Sequence, residues 1–566
     1  MASYWDRYAV ARVSRRTVLR SAAMASAAGG AIAIAGCGSS NGATGAPGPT
    51  AGASAGDQPD VLNAAANPRR GGTFTTANSA TFGTFDPHLG IQVASAYFPR
   101  IYNVLLNQSA TKPEFMYMDL AESFEIPDET TYTFKIRPGV KIAPNDLGVP
   151  ERDLDAEDVK ATLERIASEP MSNNYGFAKQ YIASVKAEPG RVTIKTTGPY
   201  AWFLNRIGLF FNTIAPRELL TGDLSRLTSR AAGAGPYRLS SVTEGEVARF
   251  ERNPNYYRTD DANGGAALPY VDALEVRTIF DRATQRAAFK SGQLDMYWAA
   301  SGDEARSLGG GAVIARDPSF GYVSLTMNPK KKPFDDPRVR RAIARALNRK
   351  QFVEIVYGGD ARPNGLVHWP LGSYAFDDAE LESTYQPFSV AEARALVDQV
   401  GGIKFKMMYP AGTTIEEHSQ HLSIFIEQMR AANIEIEQDP QDFAAWVSNY
   451  RDLNYDCSLA LNQTYETPEL PLAFHSSGGP FGDRTYIQGL GDPEIDAAIK
   501  KANETLGADA RRDAVHDAQR IIYGKDPAFL PLVSPYLHLA YNPRVRSIPT
   551  GVGTTAYLLN TYWLDR

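Results

Sequence analysis

Two histidines three residues apart, His418 and His421, follow Glu416 and Glu417 in a stretch of helical periodicity. That spacing can set three metal ligands on one helix face. The apolar stripe Leu422, Phe425, Ile426 and Met429 lies largely elsewhere, so the histidines read as a solvated polar face and no metal is expected. His475-Ser476-Ser477 sets an imidazole beside a hydroxyl, but no nucleophile-elbow pattern surrounds it. Gly233-Ala234-Gly235-Pro236 begins like a phosphate loop. Arg238 stands where the third glycine would be and no P-loop lysine follows, so a turn is expected. Cys457 opens an apolar run to Leu461 and reads as a small buried apolar residue. The 64 carboxylates would include some pairs by chance, and none is singled out for glycoside hydrolysis. No catalytic residue and no cofactor is expected.

These side chains must be held by alternating strands and helices. Asp155 is a helix cap, with Val159, Leu163 and Ile166 on one face and Pro170 as the stop. Asp336-Pro337 and Asp492-Pro493 start two more helices, with Val339, Ile343 and Leu347 and then Ile495 and Ile499 turned inward. Ser389 to Glu392 is a capping box for another. The segments 131–137, 191–195, 274–279 and 322–327 alternate as strands do. Mixed elements in this order predict an α/β body.

The chain has 566 residues and two cysteines. Arg15-Arg16, a weakly apolar stretch from Ala22 and the small residues before Cys37 form a twin-arginine export signal ending at a lipid attachment site. Residues 1–36 are read as the signal and 37–70, rich in Gly, Ala, Ser, Pro and Thr, as a flexible tether. With Cys37 acylated, Cys457 is alone and no disulfide framework forms. The protein is expected outside the cytoplasm as a cell-surface or periplasmic lipoprotein. Five arginines against one aspartate precede Cys37, which leaves the rest of the chain more acidic than its formal −6. An acidic body excludes nucleic acid as a partner.

One succession of motifs goes further. Asp86-Pro87-His88 follows the first strand. Leu120 to Glu125 and Tyr132 to Lys141 come next, then Ala156-Glu157-Asp158-Val159. Gly235-Pro236-Tyr237-Arg238-Leu239, Arg252 to Tyr257, Ser291 to Asp295 and Pro333 to Ile343 complete the series. The series resembles the extracellular solute-binding proteins of the oligopeptide/dipeptide class, family 5, which feed ABC importers. It departs from that family in a longer stretch from Ala143 to Asp153. It also departs in Gln463 to Pro468, where Glu466 stands in for an aspartate that holds a peptide amino group and Thr467-Pro468 replaces Asp-Pro.

The resemblance implies a two-lobed periplasmic-binding-protein fold with a hinge and an extra subdomain in the first lobe. Lobe I would be 71–106, 184–318 and 531–566, the subdomain 107–183 and lobe II 319–530. It implies a monomer that binds a small peptide between its lobes, delivers it to permease subunits and breaks no bond. An oligosaccharide receptor of the same fold and an extracellular hydrolase are the competing readings. Cleft walls of such proteins are mostly apolar and aromatic. The expected ligand-binding residues are Thr81 and Phe82 in the opening loop, Tyr297 and Trp298 after a strand, Trp369 in the loop from Asn364, and Tyr465 with Glu466. Arg340 offers a bidentate partner for a carboxylate, although its helix position reads as solvated.

Overall fold

Backbone pairing begins earlier than the tether boundary allows. Val61–Leu62 pairs with Ile548–Pro549 near the other end of the chain, so the segment expected to be flexible up to residue 70 is structured from 61. The computed structural model describes residues 61–89, 97–108, 116–319, 321–410, 416–463, 467–477, 489–549 and 560–565. The export signal and Cys37 lie outside them.

Strand β1 (Thr73–Asn78) starts the first lobe. The chain then leaves for a separate antiparallel sheet. Its strands β2 (Ala121–Asp128) and β3 (Thr131–Ile136) are followed by helix α1 (Ala156–Ser168). Strands β4 (Ile182–Glu188) and β5 (Arg191–Thr196) close that sheet in the order β2-β3-β5-β4. The expected subdomain end at 183 therefore falls inside β4. The local signals act as read. Asp155 accepts from the amides of Glu157 and Asp158, and Asp158 returns the bond. Tyr132, Phe134, Val192 and Ile194 alternate inward and pack with Val159, Leu163 and Ile166 in one core.

A short helix α2 (Phe203–Ile207) precedes the return to lobe I. Strands β6 (Tyr237–Thr243), β7 (Val247–Arg252) and β8 (Ala273–Thr278) join β1 in the order β1-β8-β7-β6, with β1 and β8 parallel. The Gly233 to Pro236 turn sits against this body. The Gly235 amide donates to Ile101 O at 2.8 Å, and a Cβ there would lie 2.6 Å from the Ile101 carbonyl carbon. Only glycine lets two backbones approach so closely.

Strands β9 (Met296–Ala299), β10 (Val313–Pro318) and β11 (Gly321–Met327) lead into lobe II. Helix α3 (Pro337–Ala346), strand β12 (Ala361–Pro363) and helix α4 (Val390–Gln399) follow, α3 and α4 on the Asp336 and Ser389 caps. Strands β13 (Ile403–Pro410), β14 (Ile434–Gln441) and β15 (Cys457–Gln463) extend the large sheet. Helices α5 (Glu469–Ala473), α6 (Pro493–Glu504) and α7 (Ala508–Gly524) precede the long strand β16 (Phe529–Tyr541).

β16 is the hinge. Its second half, Tyr536 to Tyr541, pairs with β10 on one side, and Leu539 and its neighbours pair with β9 on the other. Its first half pairs with β11 and β12. One strand thus runs through both lobes, beside a second track made of β10 and β11. The expected boundary at 530 lies within β16, because the crossing comes near Pro535.

Two expectations about side-chain exposure are corrected. Arg340 is buried, not solvated, and donates to the carbonyls of Asp526, Phe334 and Lys525. It braces α3 against the segment before β16. His421 is also buried, its ring 5.9 Å from Phe352 and 5.4 Å from Tyr357. Gly302 shows how tightly the back of the hinge is packed, since a Cβ there would meet the His538 imidazole at 3.2 Å. Cys457 is fully buried as read. Among the described residues no helix is long and apolar enough to cross a membrane.

Candidate functional site

Two walls face each other in front of the hinge. On the lobe II side Tyr322, from β11, packs tilted on His368 at 4.0 Å between ring centroids and meets Phe529 of β16 edge-on at 6.1 Å. Phe474 and His475 pack on the same Phe529 at 4.9 and 5.8 Å. Sheet alternation puts Tyr322 and Phe529 on one face, and the turn after α5 brings Phe474 and His475 over it.

Several buried polar atoms of lobe II make no hydrogen bond within the protein, among them Tyr322 Oη, Trp369 Nε1, Thr467 Oγ1 and His475 Nε2. Such atoms are normally satisfied, because an orphan costs about 1–3 kcal/mol. Two of them, on Tyr322 and His475, belong to rings packed on the same Phe529. Burial keeps the imidazoles of His368 and His475 uncharged, each with a pKa of about 3. A neutral imidazole carries one donor and one acceptor nitrogen.

The facing wall comes from the subdomain and α2. Tyr181 and Tyr200 stack at 3.9 Å, and Phe177 lies 6.1 Å from Tyr200. The Arg206 guanidinium sits 5.3 Å from the Phe177 ring and donates to Asn174 Oδ1 at 2.9 Å. Across the cleft stands Glu469, the first residue of α5. Arg206 Nε and Glu469 Oε2 are 3.8 Å apart, both side chains 11 % exposed. That is a charge contact too long for a hydrogen bond. Burial first, and then the Glu469 carboxylate, hold the Tyr200 phenol well above its ordinary pKa, so Tyr200 is a donor.

The expected ligand residues divide. Trp369 follows His368 in lobe II, with its ring 5.1 Å from Tyr536 on the hinge strand and 4.7 Å from the Arg362 guanidinium. Phe82 is a core residue, stacked on Phe85 at 5.7 Å. Tyr297 is also buried in lobe I, against Phe289 at 6.0 Å, and its hydroxyl donates to Glu304 at 2.7 Å. Its neighbour Trp298 points the other way and is 52 % exposed. Thr81 is exposed in the opening loop. Tyr465 and Glu466 lie outside the described residues, immediately before Thr467. Sequence reading missed Arg206, Glu469, Tyr200 and Tyr322, and weighed His475 only as a catalytic imidazole. Of these only Glu469 carried a usable signal, as an acid next to the proline of a recognisable stretch.

A family model described as bacterial extracellular solute-binding proteins, family 5, middle part, matches residues 116–481. The chain belongs to this family. The matched family 5 segment holds the subdomain, the facing walls around Arg206 and Glu469, and most of lobe II. The glutathione-binding protein GsiB of Salmonella typhi is 23 % identical over 499 residues, covering 81 % of this chain and 88 % of its own. That of Salmonella paratyphi A is 26 % identical over 357 residues, and there the match spans 61 % of this chain and 63 % of the relative. Among solved structures, DppA of Helicobacter pylori in complex with the peptide STSA matches with a TM-score of 0.73 at 20 % identity, covering 88 % of this chain and 99 % of that one. AppA of Bacillus subtilis in complex with a nonapeptide matches with 0.73 at 19 % identity, covering 88 % and 100 %. The likeness to these structures establishes the two-lobed fold of family 5. Proteins of the family work outside the cytoplasm. The chain is thus a family 5 solute receptor, and among its described residues no group of three or more His, Cys, Asp or Glu could hold a metal ion.

Proposed function

We propose that this receptor captures a short peptide-like solute with a free amino group and a carboxylate, and passes it unaltered to ABC-type permease subunits. The observation that carries the reading is the pair Arg206 and Glu469. Two opposite charges on opposite lobes, both nearly buried, meet only at 3.8 Å. A zwitterionic solute would place its ammonium on the carboxylate and its carboxylate on the guanidinium, adding charge-assisted bonds to each. A solute that touches both lobes binds the closed form better and draws the population to it. The peptide-bound relatives support a peptide over an oligosaccharide.

The test is Glu469→Gln, titrated with a pool of di- and tripeptides and with the same peptides N-acetylated. Loss of a charge-assisted bond should weaken free peptides by about 1.5–3 kcal/mol, roughly 10- to 150-fold. The acetylated pool should respond equally to both proteins. Equal affinities of both proteins for the free peptides, or turnover of the peptides, would end this reading.

The same reading makes the protein a monomer tethered by lipid at Cys37 after twin-arginine export. Labelled palmitate should enter the wild-type protein and not Cys37→Ala, which should be released from the membrane fraction. Equal labelling of both proteins would refute the anchor.

A further inference from the structure

The lobes also touch at a place that needs no solute. Trp202, at the start of α2, is 1 % exposed although it lies at the lobe boundary. Its indole Nε1 donates to Asn503 Oδ1 at 3.1 Å, across 301 residues of sequence. The neighbouring amide of Ala201 donates to the Asn503 carbonyl at 2.7 Å. Both acceptors belong to the end of α6 in lobe II. Arg511 of α7 then covers the indole, its guanidinium carbon 4.5 Å from the ring centroid. Arg511 also donates to the Tyr374 hydroxyl from Nε at 3.1 Å and Nη2 at 2.8 Å. Tyr374 packs edge-on against Trp202 at 5.4 Å, and Gln519 of α7 holds its carbonyl at 2.9 Å.

This contact has the composition of a packed interior. The core of the subdomain, with Tyr132, Leu163 and Trp202, is continuous with Ile495, Ile499, Val515 and Ile522 of lobe II. A desolvated cation over an indole is worth more than an exposed one. The Trp202 indole and the Ala201 amide would both lose protein partners on opening, although water could replace them there. Arg206 lies one turn of helix beyond Trp202, so the contact sits beside the solute cleft and moves with its wall.

We propose that Trp202, Asn503 and Arg511 form a latch that joins the lobes through protein atoms alone. The receptor then populates its closed form before any solute arrives, and opening the latch sets its release. This goes beyond the proposed function and holds for any solute the cleft accepts. Solute affinity is scaled by the share of binding-competent closed form, so weakening the latch lowers it without touching the site.

The experiment needs no ligand. The full chain is unfolded in guanidinium, freed of small solutes by gel filtration and refolded. Solution scattering gives its radius, and hydrogen exchange of the Ala201 amide reports the latch directly. Wild type should keep the radius calculated for the closed structure and protect Ala201. Asn503→Ala should expand the chain and speed Ala201 exchange roughly tenfold, about the effect of one buried hydrogen bond with its packing. Trp202→Ala should do more. If Trp202→Ala fails to refold, Arg511→Met reads the same contact from the other lobe. The latch is refuted if solute-free wild type is already expanded, or if Asn503→Ala and Arg511→Met leave both readouts unchanged.

Discussion

Lowering the pH from 7 to 5 should remove about 6 kcal/mol of folding stability, through three histidines that the fold keeps uncharged. Burial holds His368 and His475 each at a pKa of about 3. Burial, and then the Arg165 cation, hold His88 at about 4, against the opposing pull of the Thr213 carbonyl and Asp86. In the unfolded chain each returns to about 6.5. The sign follows from which state takes up protons. Below pH 6.5 the unfolded chain binds them and the folded chain does not, so stability falls as pH falls. Each group loses about 1.4 kcal/mol per unit of pH between its unfolded and folded values, hence about 2 kcal/mol by pH 5. The loss continues to pH 4 for His88 and pH 3 for the others, where it reaches about 13 kcal/mol, comparable to the usual stability of a whole domain. Urea unfolding at pH 7, 6 and 5 measures it. His475→Gln, which keeps a polar side chain without a titrating one, should cut the pH-dependent loss by about a third. Unfolding midpoints that do not move between pH 7 and 5, or identical slopes for wild type and His475→Gln, would contradict the assignment.

Arg165→Ala should cost about 3–5 kcal/mol by chemical denaturation, the expected loss when one partner leaves a buried ion pair. Asp86 and Arg165 side chains are 3 % and 8 % exposed, and their closest approach is 2.6 Å. The pair is bidentate, since Arg165 Nη1 also donates to Asp86 Oδ1 at 2.9 Å. The same Oδ1 accepts the amides of His88 at 3.0 Å and Leu89 at 3.3 Å. Burial raises the Asp86 carboxyl, but the Arg165 hydrogen bonds and charge, with the His88 amide, outweigh it and hold the group below the usual carboxylate range. Removing the guanidinium leaves that charge buried with only amides around it. The opening loop of lobe I would then lose its tie to α1 of the subdomain. The double variant Asp86→Leu with Arg165→Met should recover part of the loss, because neither charge remains. A loss under 1 kcal/mol for Arg165→Ala would show that the pair is not carrying this joint. The two experiments share His88, whose Nδ1 is 2.8 Å from Arg165 Nη1. Arg165→Ala should therefore also raise the His88 pKa and flatten part of the acid dependence.

The cleft owes its function to the same low dielectric that makes these buried groups expensive. Arg206 and Glu469 are held nearly dry, so the proposed zwitterionic solute would gain more there than at an exposed surface. The hinge lets the protein separate these charges, and the latch at Trp202 opposes their separation.

The sequence alone determined the elements. Asp155, Asp336, Ser389 and Asp492 each cap the helix that their side chain predicts, because a cap acts on amides two or three residues away. Residues 131–136 and 191–196 are strands with the expected inward faces, because alternation is a local period. The motif order also identified the family, since it records the succession of elements. The tertiary structure decided the rest. Arg340 read as solvated and is buried under three carbonyls, which lie more than 180 residues on in two of the three bonds. Phe82 and Tyr297 read as cleft aromatics and are core, because an aromatic ring next to a turn has the same local signature in either place. The subdomain boundary failed for a similar reason: β4 and β5 belong to the earlier sheet by pairing, which no run of residues announces. Arg206 meets Glu469, and Trp202 meets Asn503, only because β16 threads both lobes and turns two distant walls toward each other. Contacts between residues so far apart in the chain leave no period and no spacing to read, and they exist only once the chain has folded.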